Sequence, residues 1–194
     1  MRALDQATRS SAGPSDAALV LAARAGEAWA QEALFRRHAP MVNGLAFRLM
    51  GRDSDVDDLV QDAFVTAFAR LHSLDDPQAF AAWLGSILVR TAGKVIRRRA
   101  LLERLGLRRR REPVDIDTVA TRTAGPDVGA ELRRVYQRLE QLPAEQRVAF
   151  LLRRIEGMEL EEIARAMGIS LATAKRRIAA AQQAVEQWAD RERP

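Results

Sequence analysis

Hydrophobic residues recur at intervals of three and four along most of this 194-residue chain. Such intervals place apolar side chains on one face of an α-helix, and the alternation typical of β-strands is not sustained anywhere in the sequence. Few glycines or prolines interrupt the long segments, and Gly26 and Gly51 fall between apolar stretches. The pattern therefore predicts an all-α protein.

The N-terminal half is predicted to contain four helices. Asp16 is suited to cap the first, and Pro40 would kink or divide the second. Residues 72–78, with a proline among acids, form a loop between the third helix and the fourth. The first predicted helix starts at Asp16, and the second runs from Ala28 to about Gly51. The third runs from Asp53 to about Leu71, and the fourth spans about Ala79–Arg99.

Hydrophobic periodicity is lost from Glu112 to Gly129, where Pro, Asp, Thr and Gly are frequent. A second helical unit begins near Ala130. We therefore predict two small helical domains joined by a flexible linker. The boundaries are a flexible N-terminus at 1–15, a first domain at 16–100, a linker at 101–129 and a second domain at 130–194.

The segment Leu160–Trp188 has the pattern of a helix-turn-helix. Ala164 is small where two helices must cross closely, Gly168 suits a left-handed turn, and Ser170 suits the cap of the following helix. The apolar residues of that second helix predict its buried face: Leu171, Ala174, Ile178, Ala181, Val185 and Trp188.

Polar and cationic residues occupy the other side of this second helix. A recognition helix enters the major groove by its N-terminal turns, so donors at these positions could reach phosphates and base edges. The alternative is an ordinary helical hairpin with a solvated basic face. The order of small residue, turn glycine, capping serine and basic face favours DNA binding through Ser170, Thr173, Lys175, Arg176 and Arg177.

Charge is informative mainly by its position. The formal net charge is +5, which favours polyanionic partners, but nearly all cations are arginine, and such a bias can reflect genome composition alone. The fourth helix ends in a cationic cluster, and the run Arg108–Arg111 follows it. The third helix carries Asp57, Asp58, Gln61 and Asp62 outside its apolar stripe, and acids there also favour the helix dipole.

Several classes of function are not expected. Without cysteine there are no disulfides or thiolate metal sites, and His38 and His72 lie far apart, so neither a metal nor a cofactor is expected. The sequence shows neither a catalytic nucleophile beside a general base nor a phosphate-binding loop, so an enzyme is not expected. No apolar run reaches membrane-spanning length, and Met1–Asp16 has no signal-peptide pattern. We expect a cytoplasmic protein without membrane insertion.

Several motifs resemble the sigma-70 family of transcription initiation factors. Leu142-Pro143, Glu145-Gln146-Arg147 and Glu156-Gly157-Met158, followed by the helix-turn-helix, resemble region 4. The acidic motif Asp57–Phe64 resembles region 2.2, while Phe80, Trp83-Leu84 and Arg97-Arg98-Arg99 resemble regions 2.3 and 2.4. Two domains without room for other regions resemble the extracytoplasmic-function group. The resemblance covers about residues 16–100 and 130–190.

The resemblance implies a subunit that binds core RNA polymerase, through its β′ clamp helices and β flap, and promoter DNA. The C-terminal helix-turn-helix residues would read the −35 element. The acidic helix would contact core polymerase through Asp57, Asp58, Gln61 and Asp62. The −10 element would be read through Ser73, Arg90, Lys94, Arg97, Arg98 and Arg99. Members of this group are often held by an anti-sigma factor, which we therefore expect as a partner.

Two questions stay open on the sequence alone. Phe80 and Trp83 could stack on an unpaired base, but their spacing with Leu84 and Ile87 favours the core. A conventional helix-turn-helix regulator with an N-terminal sensor or dimerisation domain is the alternative function, although it would not need an acidic helix followed by an Arg-rich one. The chain departs from the family pattern at Arg90, Lys94, Ala174, Ala179 and Ala180. Because these side chains would take part in base reading, the promoter sequence stays open.

Overall fold

A computed structural model of the chain describes residues 13–50, 56–106, 136 and 138–191. All regular elements within these ranges are helical, which confirms the predicted all-α class. Two short 3-10 turns, Leu71–Ser73 and Pro77–Ala79, lie between the third and fourth helices. The α-helices are α1 (Asp16–Arg24), α2 (Ala28–Met50), α3 (Val56–Ala69), α4 (Phe80–Arg104), α5 (Ala144–Arg154), α6 (Leu160–Met167) and α7 (Leu171–Arg191).

Most predicted boundaries agree with the observed ones within a few residues. Pro40 lies inside α2 and does not divide it. Helix α4 continues past residue 100 to Arg104, because Leu101 and Leu102 are good helix formers and the next glycine with a positive φ is Gly106, at +67°. The helix therefore extends into the first residues of the predicted linker. The remainder of that linker, including Arg108–Arg111, lies outside the described residues, as do residues 1–12 and Asp53–Asp55.

Helices α1 to α4 share one core. Helix α2 packs against α1, α3 and α4, and α3 also packs against α4. Phe80 is 0% exposed, which assigns it to this core and excludes it as a surface for base stacking, while Trp83 is half-buried. The largest fully buried side chains of this unit are Leu19, Leu34, Leu49, Leu59, Leu71, Phe80, Leu84 and Leu88.

One polar contact lies at the edge of this core. The buried His38 places its Nε2 atom 3.0 Å from Oδ2 of Asp16, and its ring centroid lies 5.2 Å from that of Phe80. Burial acts to raise the pKa of Asp16, but a hydrogen bond from Arg37 and the charge of His38 outweigh it and lower that pKa below 3.8. This carboxylate therefore stabilises the fold at neutral pH, and the contribution is lost as the pH falls through the lowered pKa.

Helices α5 to α7 form the helix-turn-helix unit. Pro143 is the N-cap of α5, directly before the first helical residue, Ala144. Gly168 has φ +65°, and Ser170 Oγ accepts a hydrogen bond from the Thr173 amide at 3.2 Å, as the sequence predicts. Leu171 is 36% exposed and not buried, because it is the first residue of α7 and lies at the edge of its packed face. The buried centre of that face is Ala174, Ile178 and Ala181.

The described helices include one stretch, Pro77–Arg99, that is long and apolar enough to span a membrane, with a mean hydropathy of 1.3. The sequence did not predict such a stretch, since charged residues interrupt every apolar run before it reaches membrane-spanning length. Leu84 and Leu88 in this stretch are fully buried against the other helices, as in the core helix of a helical domain.

Truncation of one core leucine tests this packing. We expect Leu34→Ala, at a position 0% exposed in α2, to lower the free energy of unfolding by about 2–5 kcal/mol, because it removes buried methyl groups and leaves a cavity. Leu21→Ala, at a position 57% exposed in α1, is the matched control and should change it by about 0.5 kcal/mol or less. Urea titration followed by circular dichroism measures both. Equal losses would contradict the assigned core.

Candidate nucleic-acid interface

Four polar residues form a ridge on α3. All four are exposed: Asp57, Asp58, Gln61 and Asp62. The apolar face of α3, which includes Leu59 and Ala63, is buried. We call these four residues the acidic ridge. The structure thus places all four predicted core-polymerase contacts on one solvent-facing surface.

The loop between α3 and α4 exposes polar side chains and buries its apolar ones. Leu71 and Leu74 are buried, while His72 and Ser73 between them are exposed. The Ser73 hydroxyl donates to the Arg70 carbonyl at 2.8 Å. Ser73 is therefore accessible, as expected for a residue that contacts DNA, and its hydroxyl is oriented by the loop backbone.

The cations of α4 lie mostly on its exposed side. Arg90, Lys94, Arg97 and Arg98 are exposed, and Arg99 is half-buried. Residues 90, 94 and 97 follow one another at intervals of four and three, so they share one helix face. On this face, Arg90 donates to the Ser86 hydroxyl at 2.8 Å, and Arg97 donates to Glu145 Oε1 of α5 at 2.8 Å.

The N-terminal turns of α7 carry the predicted −35 contacts. Lys175 and Arg176 are exposed, and Thr173 and Arg177 are half-buried. The hydroxyls of Ser170 and Thr173 lie 2.9 Å apart at the helix cap. Capping therefore already engages these two residues, which leaves Lys175 and Arg176 as the most accessible donors of the recognition helix.

The two helical units lie against each other. Helix α4 packs against α5 and α6, and a cavity of about 490 Å³ lies between the units. Arg90, Lys94 and Arg97 line it from α4, and Arg177 lines it from α7. The structure thus brings three predicted −10 contacts and one predicted −35 contact to opposite sides of one space.

That space is far too small for a DNA duplex. A volume of this size suits a small molecule. A duplex, whose major groove alone is about 12 Å wide, does not fit into it. The Arg90 Cδ atom lies only 4.0 Å from where a Cβ on Gly168, in the turn of the helix-turn-helix, would be. Access of a duplex to this face of α4 therefore requires the two units to move apart.

Ion pairs connect the two units. Arg48 of α2 binds the Glu156 carboxylate through two nitrogens, with Nη2 2.9 Å from Oε2, and the hydrogen bond to Glu156 raises the pKa of Arg48. Tyr136 Oη also donates to the Arg48 carbonyl at 3.3 Å. The sequence does not predict these contacts, since residues 48 and 156 are 108 positions apart and nothing local marks them as partners.

The second ion pair, Arg97–Glu145, depends on pH. Burial acts to raise the pKa of Glu145, but the hydrogen bond from Arg97, a backbone hydrogen bond and the charges of Arg97 and Arg177 together outweigh it, and the pKa is lowered from its ordinary value of 4.5. The contribution of this pair to the closed arrangement is therefore present above that ordinary value. It is lost as the pH falls through the lowered pKa.

Among the described residues, no group of three or more His, Asp or Glu side chains is placed to hold a metal ion. The positions that the structure brings together are cationic, and Glu145 is the one acid among the described residues that line the cavity. This chemistry suits phosphate contacts.

Comparisons with known proteins match both helical units to one family. Residues 34–101 match Sigma-70 region 2, and residues 132–184 match Sigma-70, region 4. The chain is 36% identical over 172 residues to the ECF RNA polymerase sigma factor SigM of Mycobacterium tuberculosis, which covers 86% of this chain and 81% of that protein. It is 30% identical over 186 residues to the ECF RNA polymerase sigma-E factor of Escherichia coli K12, which covers 89% and 93% of the two chains.

Two further similarities differ in coverage. The chain is 34% identical over 152 residues to the ECF RNA polymerase sigma factor SigE of Mycolicibacterium smegmatis, and it spans 56% of the length of that relative. The solved structure of CnrH in complex with the cytosolic domain of CnrY is 27% identical, with a TM-score of 0.59, and the match covers 93% of this chain and all of that one.

Removal of both ion pairs should open the closed arrangement. Partly exposed pairs each contribute about 0.2–1 kcal/mol, so Glu145→Gln with Glu156→Gln should raise the ratio of open to closed molecules about fivefold. The chain has no cysteine, so cysteines introduced at Asn43 and Gln183, both exposed, can carry a dye pair. We expect lower energy transfer in the double variant than in a control with Glu32→Gln and Glu186→Gln. Unchanged transfer would show that these pairs do not hold the units together.

Proposed function

The chain belongs to the sigma-70 family, in its extracytoplasmic-function group, whose members direct RNA polymerase to promoters, and we propose how its residues divide that work. In this proposal the chain is a non-enzymatic subunit of the holoenzyme and acts in the cytoplasm. The N-terminal unit binds core polymerase and the −10 element, and the C-terminal unit binds the −35 element. The observation that carries the proposal is that matches to both sigma regions coincide with exposed residues of suitable charge.

Core binding is assigned to the acidic ridge on α3. Its three carboxylates and one amide face solvent together, and the resemblance places the β′ clamp helices of core polymerase opposite them. Carboxylates that meet basic groups on a partner contribute mainly orientation and rate of encounter. The C-terminal unit would add contacts to the β flap.

The −10 element is assigned to the loop and the cationic face of α4. Phosphates of a separated strand would be neutralised by Arg90, Lys94, Arg97, Arg98 and Arg99, with Ser73 near the bases. Arg97 is engaged by Glu145 in the closed arrangement, so its contact with DNA depends on release of that pair. Arg98 is exposed and can bind phosphate without such a release.

The −35 element is assigned to the first turns of α7. Helices of this kind place their N-terminal residues in the major groove, where arginine and lysine bind guanine edges and phosphates. Lys175 and Arg176 would supply these contacts, Arg177 would join them after the units separate, and Ser170 and Thr173 would fix the helix start.

We also propose an anti-sigma protein as a partner of this chain. The similarity to CnrH, solved with the cytosolic domain of CnrY, supports this assignment. The closed arrangement supports it as well, because a protein that binds both units at once would keep the cationic face of α4 away from DNA.

Neutralisation of the acidic ridge tests the core-binding assignment. Asp58→Asn with Asp62→Asn should weaken binding to core polymerase about tenfold, because two carboxylates lose their basic partners. The control Glu27→Gln with Glu32→Gln removes the same net charge from exposed sites beside and within α2 and should bind like the wild type. Titration of labelled chain with core polymerase at moderate salt measures all three. Equal affinities would contradict the docking assignment, and no complex for the wild type would contradict the proposed function.

Substitution in the recognition helix tests the −35 assignment. Lys175→Ala with Arg176→Ala should lower transcription from a promoter with a −35 element by about tenfold or more, since each lost base or phosphate contact costs about 1–3 kcal/mol. Arg154→Ala, in the same unit but on α5, is the control. Transcription with purified core polymerase should be compared on promoters with and without the element. An equal loss on both promoters would contradict base reading by these residues.

A further inference from the structure

Arg24, at the C-terminal end of α1, is hydrogen-bonded to the loop between α3 and α4. Its Nε atom donates to the Leu71 carbonyl at 3.1 Å, and its Nη2 atom donates to the Leu74 carbonyl. These two carbonyls flank the exposed residues His72 and Ser73. One half-buried guanidinium therefore binds the backbone on both sides of the exposed part of the loop.

The side chains of Leu71 and Leu74 are buried, while the other described hydrogen bonds of this segment are local. Its own backbone bonds here are short-range, from the Ser73 amide to the Arg70 carbonyl at 2.8 Å and from the Leu74 amide to the Leu71 carbonyl at 3.3 Å. A single 3-10 turn is a weak element on its own. The fork of an arginine binds two acceptors in a fixed relative geometry, so Arg24 fixes the two carbonyls in position with respect to each other.

Helix α1 is itself held firmly. At its start, Asp16 accepts a hydrogen bond from Arg37 of α2 at 2.7 Å and contacts His38. Along its length, Leu19 and Val20 are fully buried. The guanidinium of Arg24 is therefore presented from a helix anchored in the core, and the loop takes its position from α1.

We propose that Arg24 is a positioning residue for −10 recognition. It shapes the loop that displays His72 and Ser73, and so sets base preference at the −10 element without contact with DNA. This inference rests on the proposed function, in which that loop reads the −10 element. It adds α1, which none of the sequence motifs singled out, to the determinants of promoter specificity.

Two substitutions of Arg24 separate its hydrogen bonds from its bulk. Arg24→Met keeps the apolar stem and removes both donors, while Arg24→Lys keeps the charge but lacks the fork. The control Arg36→Lys changes an exposed arginine of α2 that pairs only with Glu32 within the described contacts. Each variant, with core polymerase, transcribes a promoter library randomised at the −10 element and a second library randomised at the −35 element.

The readout is the ratio of transcription with the best base to transcription with the worst base, at the −10 position most sensitive to the loop. We expect Arg24→Met to reduce this ratio by about tenfold and Arg24→Lys to reduce it less. Base preference at −35 and affinity for core polymerase should stay within about twofold of the wild type. Hydrogen exchange at the Ser73 and Leu74 amides should become faster in both variants, as a loosened loop requires.

Three results would overturn the inference or its premise. If −10 preference is unchanged in Arg24→Lys while its loop amides exchange faster, loop geometry does not set the preference and the inference is wrong. If −10 and −35 preference fall together, the effect is general destabilisation and the inference is again wrong. If wild-type chain shows no −10 preference, the proposed function fails with it. Should Arg24→Met not fold, Arg24→Lys decides the question.

Discussion

Helix α4 must satisfy two demands at once, and the rest of the structure depends on how it does so. One face, with Phe80, Leu84 and Leu88 at 0% exposure, forms the core of the N-terminal unit. The other face carries cations that meet the helix-turn-helix unit across a small cavity. The buried face fixes the direction of the cations, because a helix held in a close-packed core cannot rotate about its axis without opening voids.

The same helix joins the two units. Among the described residues, the units are joined by packing of α4 against α5 and α6, by two partly exposed ion pairs, each worth little on its own, and by the hydrogen bond from Tyr136 to the Arg48 carbonyl. A binding partner that separates the units would make the cations that line the cavity available to phosphates.

Local features of the structure were predictable from the sequence, and long-range ones were not. Gly168, Ser170 and the ridge on α3 are marked by spacing, turn chemistry and capping, which act within a few residues. The pairing of Arg48 with Glu156 and the reach of Arg24 to the loop depend on tertiary placement, for which no pattern exists along the chain. Burial at helix ends was also misjudged, as at Leu171, because periodicity does not show where a packed face stops. The family motifs identified the site residues, and their roles on DNA and polymerase stay predictions.

The central claim is that one chain closes its two DNA-binding surfaces on each other when free and separates them on a promoter. Energy transfer between dyes at Asn43 and Gln183 tests this most directly, measured first on the free chain and then on its complex with core polymerase and promoter DNA. The account predicts high transfer in the free chain and a clear fall in the promoter complex. Equal transfer in the two states would contradict it.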